Sequence, residues 1–374
     1  MMALILFVML AFPSFAQATA YYISPTGSNS NNGTSTSTPW LTFTYAFAHM
    51  GCGDTLILRN GTYGDGTSTG KILLTNVICS LGNEIGIVAE NQRQAKIVDN
   101  GSGSAVKATG SAYFVIDGLY ARSTDNSGST SGYPFFITGS NHFTIRNLVG
   151  RNPNRYANTH VFATEHSQDG LLEDNEAYTY HRHCVEAPVS ARIVARRTYC
   201  NPRGGRIAGG FGAANGLNKA DAGISMYPCD SCIEENSIVD AGTSAGVYLA
   251  EMNAPYDGSV LMSGSKVLGS ICIRCNYGNG IFLNSRKAND LNHTPQNATL
   301  RDIAFVDWGS ASANAIRVSD GVGIVVDHIT VLGTGPGANG LQTDDAATGV
   351  TSAQNSIAMT NMVTSGITGG RAFN

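Results

Sequence analysis

The sequence predicts an all-β chain that folds as a right-handed, single-stranded parallel β-helix with a short N-terminal capping helix. Charged residues make up only 13% of the chain and there are 44 glycines, a composition typical of many short strands joined by tight turns. Two short strand patterns also recur along the chain. Because a solenoid lengthens by adding rungs, a chain of 374 residues can form a single domain of this kind.

The first recurring pattern is a strand, a polar corner and a second strand. We expect Asn147, Asn175 and Asn236 to occupy the same corner, because asparagine tolerates a left-handed backbone and its side chains can stack in a ladder. The copies of this pattern are Phe114–Tyr120, Phe143–Val149, Leu171–Ala177, Cys232–Ile238, Leu300–Phe305 and Val325–Val331.

The second recurring pattern is a short strand that precedes each corner strand. One column of this strand is apolar and is expected to point inward, and the next residue in each copy is expected to point outward. The inward column is predicted to contain Val106, Val185, Ile224, Val247, Ile281, Ile316 and Leu341. The copies are Ala105–Ala108, Phe135–Thr138, His160–Ala163, Cys184–Ala187, Gly223–Met226, Gly246–Leu249, Gly280–Leu283, Ala315–Val318 and Gly340–Thr343.

Residues 1–20 are predicted to be a signal peptide. Leu4–Phe12 is an apolar stretch of the length found in such peptides, and the alanines that follow offer small-residue cleavage sites. We therefore expect a secreted, periplasmic or extracellular protein whose mature chain begins near Tyr21. The apolar stretch is too short to cross a bilayer and no other is long enough, so no membrane span is predicted.

The β-helix domain is expected to cover residues 21–374, with a cap at about 21–63 and rungs at about 64–374. Pro39–Ala48 predicts a short amphipathic helix, and Gly53–Tyr63 predicts the first strand and its turn. An open solenoid end exposes core and backbone groups, so the helix would cover that end. No comparable cap is predicted at the C-terminus, which leaves oligomeric or end-to-end assembly open.

Charge and cysteine content narrow the function classes. The formal net charge is −4 and no sustained basic run exists, so no nucleic-acid partner is expected.

Eight cysteines in an exported chain predict disulfides, whose connectivity the sequence leaves open. The spacings Cys229-x-x-Cys232 and Cys272-x-x-Cys275 also occur in zinc sites, but neither pair has a zinc-ribbon context.

The N-terminal segment resembles a known group of proteins. Tyr21–Ser28, Pro39-Trp40 and Gly53–Tyr63 look like the start of exported right-handed β-helix proteins of the pectate-lyase-like superfamily, which includes family 9 polysaccharide lyases and chondroitinase B-like lyases. The resemblance implies a β-helix acting on acidic polysaccharides. Family 9 lyases resemble one another in an Asp cluster that binds Ca²⁺ and in a Lys base, and Asp221 and Lys219 are the matching residues in this chain.

The outward face of the middle rungs carries the candidate cation ligands. Glu186 is predicted to be the outward residue of its strand, and Glu165 lies at the strand end one rung before it. Asp221 leads into the next rung, and Glu251 ends the strand after that. Carboxylate oxygens are the ligands that Ca²⁺ prefers, so these four residues are the predicted metal ligands and Ca²⁺ is the predicted cofactor.

The same face carries candidate catalytic and substrate-binding side chains. Lys219, His183 and Arg182 are predicted to act as bases or as clamps for a substrate carboxylate. The predicted sugar-binding residues are Tyr227, Tyr248 and His181.

A lyase acting on a uronate needs a cation that neutralises the carboxylate, a base for the neighbouring C–H, and a proton donor for the leaving oxygen. The leading hypothesis is therefore an exported polysaccharide lyase that cleaves an acidic, uronate-containing polysaccharide by β-elimination. The alternative is a non-catalytic β-helix: an adhesin, a sugar-binding protein or a fibre-forming surface protein. The sequence leaves open whether the chain is an enzyme.

Overall fold

The computed structural model describes residues 18–100, 103–123, 132–151, 160–180, 182–202, 222–241, 248–254, 261–275, 279–284, 293–308, 314–319, 321–333, 339–343, 350–360 and 367–368. Within those ranges the chain forms 32 β-strands and one α-helix, α1 (Phe43–His49). No helix in them is long and apolar enough to cross a membrane.

The strands follow one another in short segments along the chain. In chain order they are β1 Ala20–Ile23, β2 Thr55–Leu58, β3 Gly61–Gly64, β4 Ile72–Thr75, β5 Ile85–Ala89, β6 Ala95–Asp99, β7 Val106–Thr109, β8 Ala112–Asp117, β9 Tyr120–Ser123, β10 Phe135–Thr138, β11 Asn141–Arg146, β12 Val149–Arg151, β13 His160–Glu165, β14 Gln168–Glu173, β15 Glu176–Tyr178, β16 His183–Glu186, β17 Ser190–Arg196, β18 Tyr199–Asn201, β19 Ala222–Met226, β20 Cys229–Asp230, β21 Ile233–Glu235, β22 Ile238–Asp240, β23 Tyr248–Asn253, β24 Lys266–Leu268, β25 Ile271–Ile273, β26 Asn279–Asn284, β27 Thr299–Trp308, β28 Asn314–Val318, β29 Ile324–Gly333, β30 Asn339–Thr343, β31 Val350–Thr360 and β32 Ile367–Thr368.

The strands form two parallel sheets that wind as a β-helix. Eleven strands, in the order β4-β7-β10-β13-β16-β19-β23-β26-β28-β30-β32, form one sheet, which we call the front sheet, and the other 21 form the second sheet. Along the chain, each front-sheet strand from β4 to β30 is followed by one or more strands of the second sheet, so each turn of the solenoid contributes to both. This architecture confirms the predicted right-handed parallel β-helix, and each of the nine predicted copies of the second strand pattern overlaps a strand of the front sheet among the described residues.

The core is a stack of apolar side chains between the sheets. In the front sheet the inward column is continuous, since every member pairs with the next in register: Val106, Phe135, Phe162, Val185, Ile224, Ala250, Ile281, Ile316 and Leu341. All of these side chains are buried. Burying stacked apolar surface is the main stabilising contribution, at roughly 25 cal/mol per Å².

The register of one strand differs from the prediction. Ile224 pairs with Ala250 and Ser225 pairs with Glu251, so Ala250 takes the inward position that was predicted for Val247. Val247 lies outside the described residues. Tyr248 begins β23 and pairs with Ala222, so Glu251, and not Tyr248, takes the outward position next to the inward column.

The polar corner of the second sheet also differs in one member. Asn147 and Asn236 adopt the predicted left-handed backbone, each with φ of 55°. In the turn between them the left-handed residue is Asp174, with φ of 56°, and not Asn175. Asn175 lies one position further on, where its Oδ1 accepts a hydrogen bond from the Leu148 backbone N–H at 3.0 Å. Asn175 therefore connects two rungs through hydrogen bonds to the Leu148 and Ile145 backbones, one position beyond the predicted corner.

Serines connect the rungs at the corner that leaves the front sheet. The backbone N–H of Ser111 donates to Ser140 Oγ at 3.1 Å, and the N–H groups of Ser140 and Ser167 donate in the same way to the next serine. The ladder consists of the buried residues Ser111, Ser140, Ser167 and Ser190. The serine hydroxyls accept hydrogen bonds from backbone N–H groups that have no partner in the sheet at the turn. The repeated serines are visible in the sequence, but neither of the two predicted patterns included them.

The capping helix is present and begins later than predicted, at Phe43. Thr42 caps it, because its side chain accepts a hydrogen bond from the Tyr45 N–H at 3.2 Å. Phe43 and Ala46 are buried against the end of the solenoid. The rungs begin earlier than the predicted boundary near residue 64, since β1 pairs with β2, β2 with β5 and β3 with β6.

All eight cysteines form disulfides, as predicted for the chain, and none is free. The pairs are Cys52–Cys79, Cys184–Cys200, Cys229–Cys232 and Cys272–Cys275. The two Cys-x-x-Cys motifs are therefore local cystines and not halves of zinc sites.

Substitution of Gly170 by alanine is expected to lower the free energy of unfolding by about 1–3 kcal/mol. Gly170 lies between Phe143 and Ile193 in the second sheet, and a Cβ on it would lie 2.2 Å from the Phe143 ring. Gly51→Ala is the matched control, because its added Cβ would meet nothing closer than 3.9 Å. Thermal melts of both variants test this expectation, and equal midpoints would contradict the packing described for Gly170.

Candidate active site

The outward face of the front sheet carries one continuous row of side chains, which we call the Glu186 row. Each member pairs with the next across neighbouring strands, one per turn of the solenoid. In order, the row contains Leu73, Lys107, Phe136, Ala163, Glu186, Ser225, Glu251, Phe282 and Arg317. Its acidic members lie in the middle, on β16 and β23, with a basic residue beyond them on either side.

Two histidines lie beside the centre of this row. His160 and His183 pair in register at the starts of β13 and β16, and their rings stack with centroids 4.8 Å apart. Both rings reach Glu186, which follows His183 by three positions on β16 and pairs with Ala163 of β13.

Glu186 and Glu251 lie on either side of His183. His160 Nε2 donates to Glu186 Oε2 at 2.5 Å, and His183 Nδ1 lies 3.5 Å from Glu186 Oε1. On the other side, His183 Nε2 lies 3.8 Å from Glu251 Oε2. We call His160, His183, Glu186 and Glu251 the His–Glu cluster. It can hold a proton or a cation between carboxylates.

Burial in the cluster decreases toward Glu251. The side chains of His160, His183 and Glu186 are 2%, 1% and 7% exposed, whereas that of Glu251 is 18% exposed. Asn253 Nδ2 donates to the other Glu251 oxygen, which fixes the carboxylate. Glu251 is therefore the member of the cluster that a molecule on this face would meet first.

The pKa values of the cluster follow from its burial. Burial lowers the pKa of His183 to about 4, and this effect exceeds the opposing effect of Glu186, so the imidazole is neutral at pH 7. Burial alone would raise the pKa of Glu186, but the charge and hydrogen-bond interactions with His160 and His183 together outweigh it and hold that pKa well below its ordinary value. The site thus contains an ionised carboxylate next to a neutral imidazole.

Glu165 ends β13 on the same side of the sheet. Burial raises its pKa, and the negative charge of Glu186 raises it further. A carboxyl group with a raised pKa holds its proton at higher pH than an exposed one and can serve as a proton donor.

The structure brings together some of the predicted site residues. His183, Glu186 and Glu251 are in contact, and Glu165 is close enough for its charge to interact with that of Glu186. Arg182 directly precedes His183 and is half-buried, and Tyr227 follows β19 and is also half-buried. The remaining predicted residues are Tyr248, whose position in β23 is given above, and His181, Lys219 and Asp221, which lie outside the described residues.

His160 and Ser225 belong to this site and were not predicted as members. His160 pairs in register with His183 one rung later, whereas the predicted copies His160–Ala163 and Cys184–Ala187 align His160 with Cys184, so the match between the two histidines was missed. Ser225 lies between Glu186 and Glu251 in the row and is buried. Its Oγ makes no hydrogen bond within the part of the chain that the structure describes.

The available ligand atoms can be compared with those that the predicted Ca²⁺ requires. Calcium takes about six to eight oxygen ligands. In the described residues, the three groups whose donor atoms lie within 4.8 Å of one another are His160, His183 and Glu186, so two of the three donors are nitrogen. This set does not fit Ca²⁺. Asp221, one of the four predicted ligands, lies outside the described residues, so the calcium site stays a prediction.

Aromatic and basic pairs flank the cluster on both sides. On one side, Lys107 Nζ lies 5.3 Å from the centroid of the Phe136 ring. On the other side, Arg317 Cζ lies 5.5 Å from the centroid of the Phe282 ring. Each pair occupies two adjacent positions of the Glu186 row. The face therefore offers positive charge and ring surface on either side of an acidic centre.

Solved structures with the same fold include polysaccharide-acting proteins. An alginate lyase from a Paenibacillus species has a TM-score of 0.54 and 14% identity, over 86% of this chain and 97% of the other. A pectate lyase has a TM-score of 0.53 and 16% identity, over 95% and 80%. A GH136 lacto-N-biosidase from Eubacterium ramulus has a TM-score of 0.57 and 11% identity, over 92% and 67%.

No protein-family model matches the chain, and no curated protein matches it. At identities this low the structural likeness establishes the parallel β-helix fold and carries no activity over to this chain.

Proposed function

We propose that this chain is an exported carbohydrate-active protein that cleaves an acidic, uronate-containing polysaccharide by β-elimination on the outward face of the front sheet. The observation that carries the proposal is the His–Glu cluster, in which a neutral imidazole lies between two carboxylates. The fold shared with an alginate lyase and a pectate lyase supports it. The pairing of all eight cysteines is typical of exported proteins and supports export.

Glu251 is the proposed proton acceptor. It is the most exposed member of the cluster, and Asn253 and His183 fix its carboxylate from two sides. In the reaction, Glu251 takes the proton from the carbon next to the uronate carboxylate, a double bond forms, and the bond to the leaving oxygen breaks. Lys219, the base implied by the family resemblance, is the alternative acceptor.

Two further groups complete the proposed reaction. Arg182, which directly precedes His183, would neutralise the substrate carboxylate and so acidify the neighbouring C–H. Glu165, whose raised pKa favours its protonated form, would donate the proton that the leaving oxygen takes up. Tyr227 is the proposed stacking surface for a sugar ring, and His181 and Tyr248 remain proposed substrate contacts.

The flanking pairs are proposed to hold the rest of an anionic chain along the Glu186 row. Lys107→Ala and Arg317→Ala are each expected to raise KM about 2–5-fold with little change in kcat, because these residues would bind ground state and transition state alike. Lys266→Ala is the matched control, since Lys266 is exposed on the second sheet. Kinetics on a polyuronate test this, and an unchanged KM in both variants would remove the flanks from the binding surface.

An assay of the chain from Tyr21 onward tests the proposal directly. The protein is offered pectate, alginate, chondroitin and other uronates, and ultraviolet absorbance of the unsaturated product is followed. We expect a rise on at least one of them. A flat trace across the panel, from protein shown to be folded by circular dichroism, would reject the lyase and favour a non-catalytic sugar-binding solenoid.

A further inference from the structure

The geometry points to a transition-metal site of the Zn²⁺ class at His160, His183 and Glu186. One donor atom from each of these side chains lies within 4.8 Å of the others. All three side chains are at least nine-tenths buried. Two imidazoles and one carboxylate form the ligand set found in catalytic zinc sites that keep a further position open.

The scaffold supplies these ligands from two neighbouring rungs. His160 comes from β13, and His183 and Glu186 come from β16, and backbone pairing fixes the spacing of the two strands. The rings stack at an interplanar angle of 25°. Strands place ligands more precisely than loops do, and a site held in this way needs only small side-chain rotations to bring its donors around one ion.

Charge at the site favours a cation. The Glu186 carboxylate lies 2.5 Å from His160, and the Glu251 carboxylate lies 3.8 Å from His183 on the other side. Arg182, which directly precedes His183 in the chain, is half-buried. An ion with a charge of about +2 would compensate the two buried or half-buried carboxylates at the centre of the face.

Ser225 provides a second, independent observation. It follows Glu186 in the Glu186 row and precedes Glu251. Its side chain is buried and its Oγ has no hydrogen-bond partner in the described ranges. A buried hydroxyl without a partner costs about 1–3 kcal/mol. A metal-bound water next to Glu186 would supply the missing partner.

The nitrogen donors determine which metal is expected. Imidazole ligands suit Zn²⁺, Fe²⁺, Co²⁺ and Ni²⁺, whereas Ca²⁺ and Mg²⁺ take oxygen ligands almost exclusively. We therefore infer selectivity for transition metals over Ca²⁺. This inference rests on the proposed function and deepens it, since the metal would act together with Arg182 on the uronate carboxylate. Metal binding itself does not require that the chain be a lyase.

Metal binding by the full mature chain tests the inference. The protein is stripped with a chelator, checked for folding by circular dichroism, and titrated with Zn²⁺ and with Ca²⁺ by calorimetry. Co²⁺ is added separately, and its visible absorption reports nitrogen ligation. We expect one Zn²⁺ per chain, an affinity for Zn²⁺ well above that for Ca²⁺, and a Co²⁺ spectrum typical of histidine ligands.

Variants assign the ligands. His160→Ala and His183→Ala are each expected to weaken Zn²⁺ binding at least ~10-fold. His160→Gln, which keeps a hydrogen-bond donor toward Glu186, covers the case in which the alanine variant does not fold. His142→Ala is the matched control, because His142 is an exposed histidine on β11 of the second sheet.

The outcomes separate this inference from the proposed function. No Zn²⁺ binding by the folded chain, a preference for Ca²⁺, or Zn²⁺ binding that is unchanged in both histidine variants would overturn the metal site. Zn²⁺ binding at these residues without cleavage of any uronate would support the metal site and reject the lyase. Cleavage of a uronate that survives the chelator, in a chain that binds no Zn²⁺, would support the lyase and reject the metal site.

Discussion

Replacement of Glu251 by glutamine is expected to lower kcat on the cleaved uronate by about 10²–10⁴-fold, because the amide cannot accept the substrate proton. Glutamine has nearly the same shape and still accepts the hydrogen bond that Asn253 donates to this side chain. We therefore expect little change in stability or in KM. Steady-state kinetics by ultraviolet absorbance, together with a thermal melt, measure both effects.

Glu90→Gln is the control for this experiment. Glu90 is a carboxylate that follows β5 and pairs with Arg59 at 3.4 Å, away from the His–Glu cluster. It should keep wild-type activity. If Glu251→Gln also keeps its activity, Glu251 is not the proton acceptor, and Lys219 becomes the next residue to replace.

Replacement of Glu234 by glutamine is expected to stabilise the protein by about 2–3 kcal/mol at pH 8 and by much less at pH 4. Glu234 points into the core from β21, where it pairs in register with Ala195 and Val267 and is fully buried. Ser270 Oγ donates to one carboxyl oxygen at 2.6 Å, and the other oxygen has no hydrogen bond among the described residues.

The raised pKa of this carboxyl group explains why the glutamine variant is expected to be more stable at high pH. Burial raises the pKa of Glu234 from 4.5 to about 7. In the unfolded chain the group ionises near the lower value, so its contribution to stability is fully present below about pH 4.5 and is lost as the pH rises to about 7. Glutamine stays neutral and keeps the acceptor for Ser270, so the loss does not occur in the variant.

Urea unfolding of wild type and variant across pH 4–8 measures this effect. Glu235→Gln is the matched control, since Glu235 is the next residue on the same strand, is half-buried on the outer face and lies 3.9 Å from Arg196. A difference between Glu234→Gln and wild type that does not grow with pH would show that Glu234 is ionised in the folded protein.

The fold was predictable because two independent patterns in the sequence, one of strands and one of corners, repeat along the chain.

The register of β23 was not predictable from these patterns. Gly246–Leu249 resembles Gly280–Leu283 letter by letter, and both alternate in the same way. The structure instead aligns Ala250 with Ile281, because β23 is buried at Leu249, Ala250 and Met252, and this set of side chains fills the core. Alternation cannot distinguish two registers that both place apolar side chains inward.

The site was predictable where a residue is charged and outward in a recognised strand copy, as Glu186 is. Glu251 was predicted as a metal ligand, although its outward position in β23 was not predicted. His160 was missed because its significance depends on contact with His183 and Glu186, which are neighbours only across rungs. Its charge state depends on burial, and burial becomes visible only once the chain is folded.

The most direct test of the central claim is cleavage of the responsive polysaccharide in ¹⁸O-labelled water, with the products weighed by mass spectrometry. β-Elimination breaks the bond without adding water. We predict products that are one water lighter than hydrolysis products and that carry no label at the cleaved bond. Labelled, saturated products would contradict β-elimination and identify a hydrolase. Unlabelled cleavage that Glu251→Gln leaves at full rate would contradict the assignment of the site.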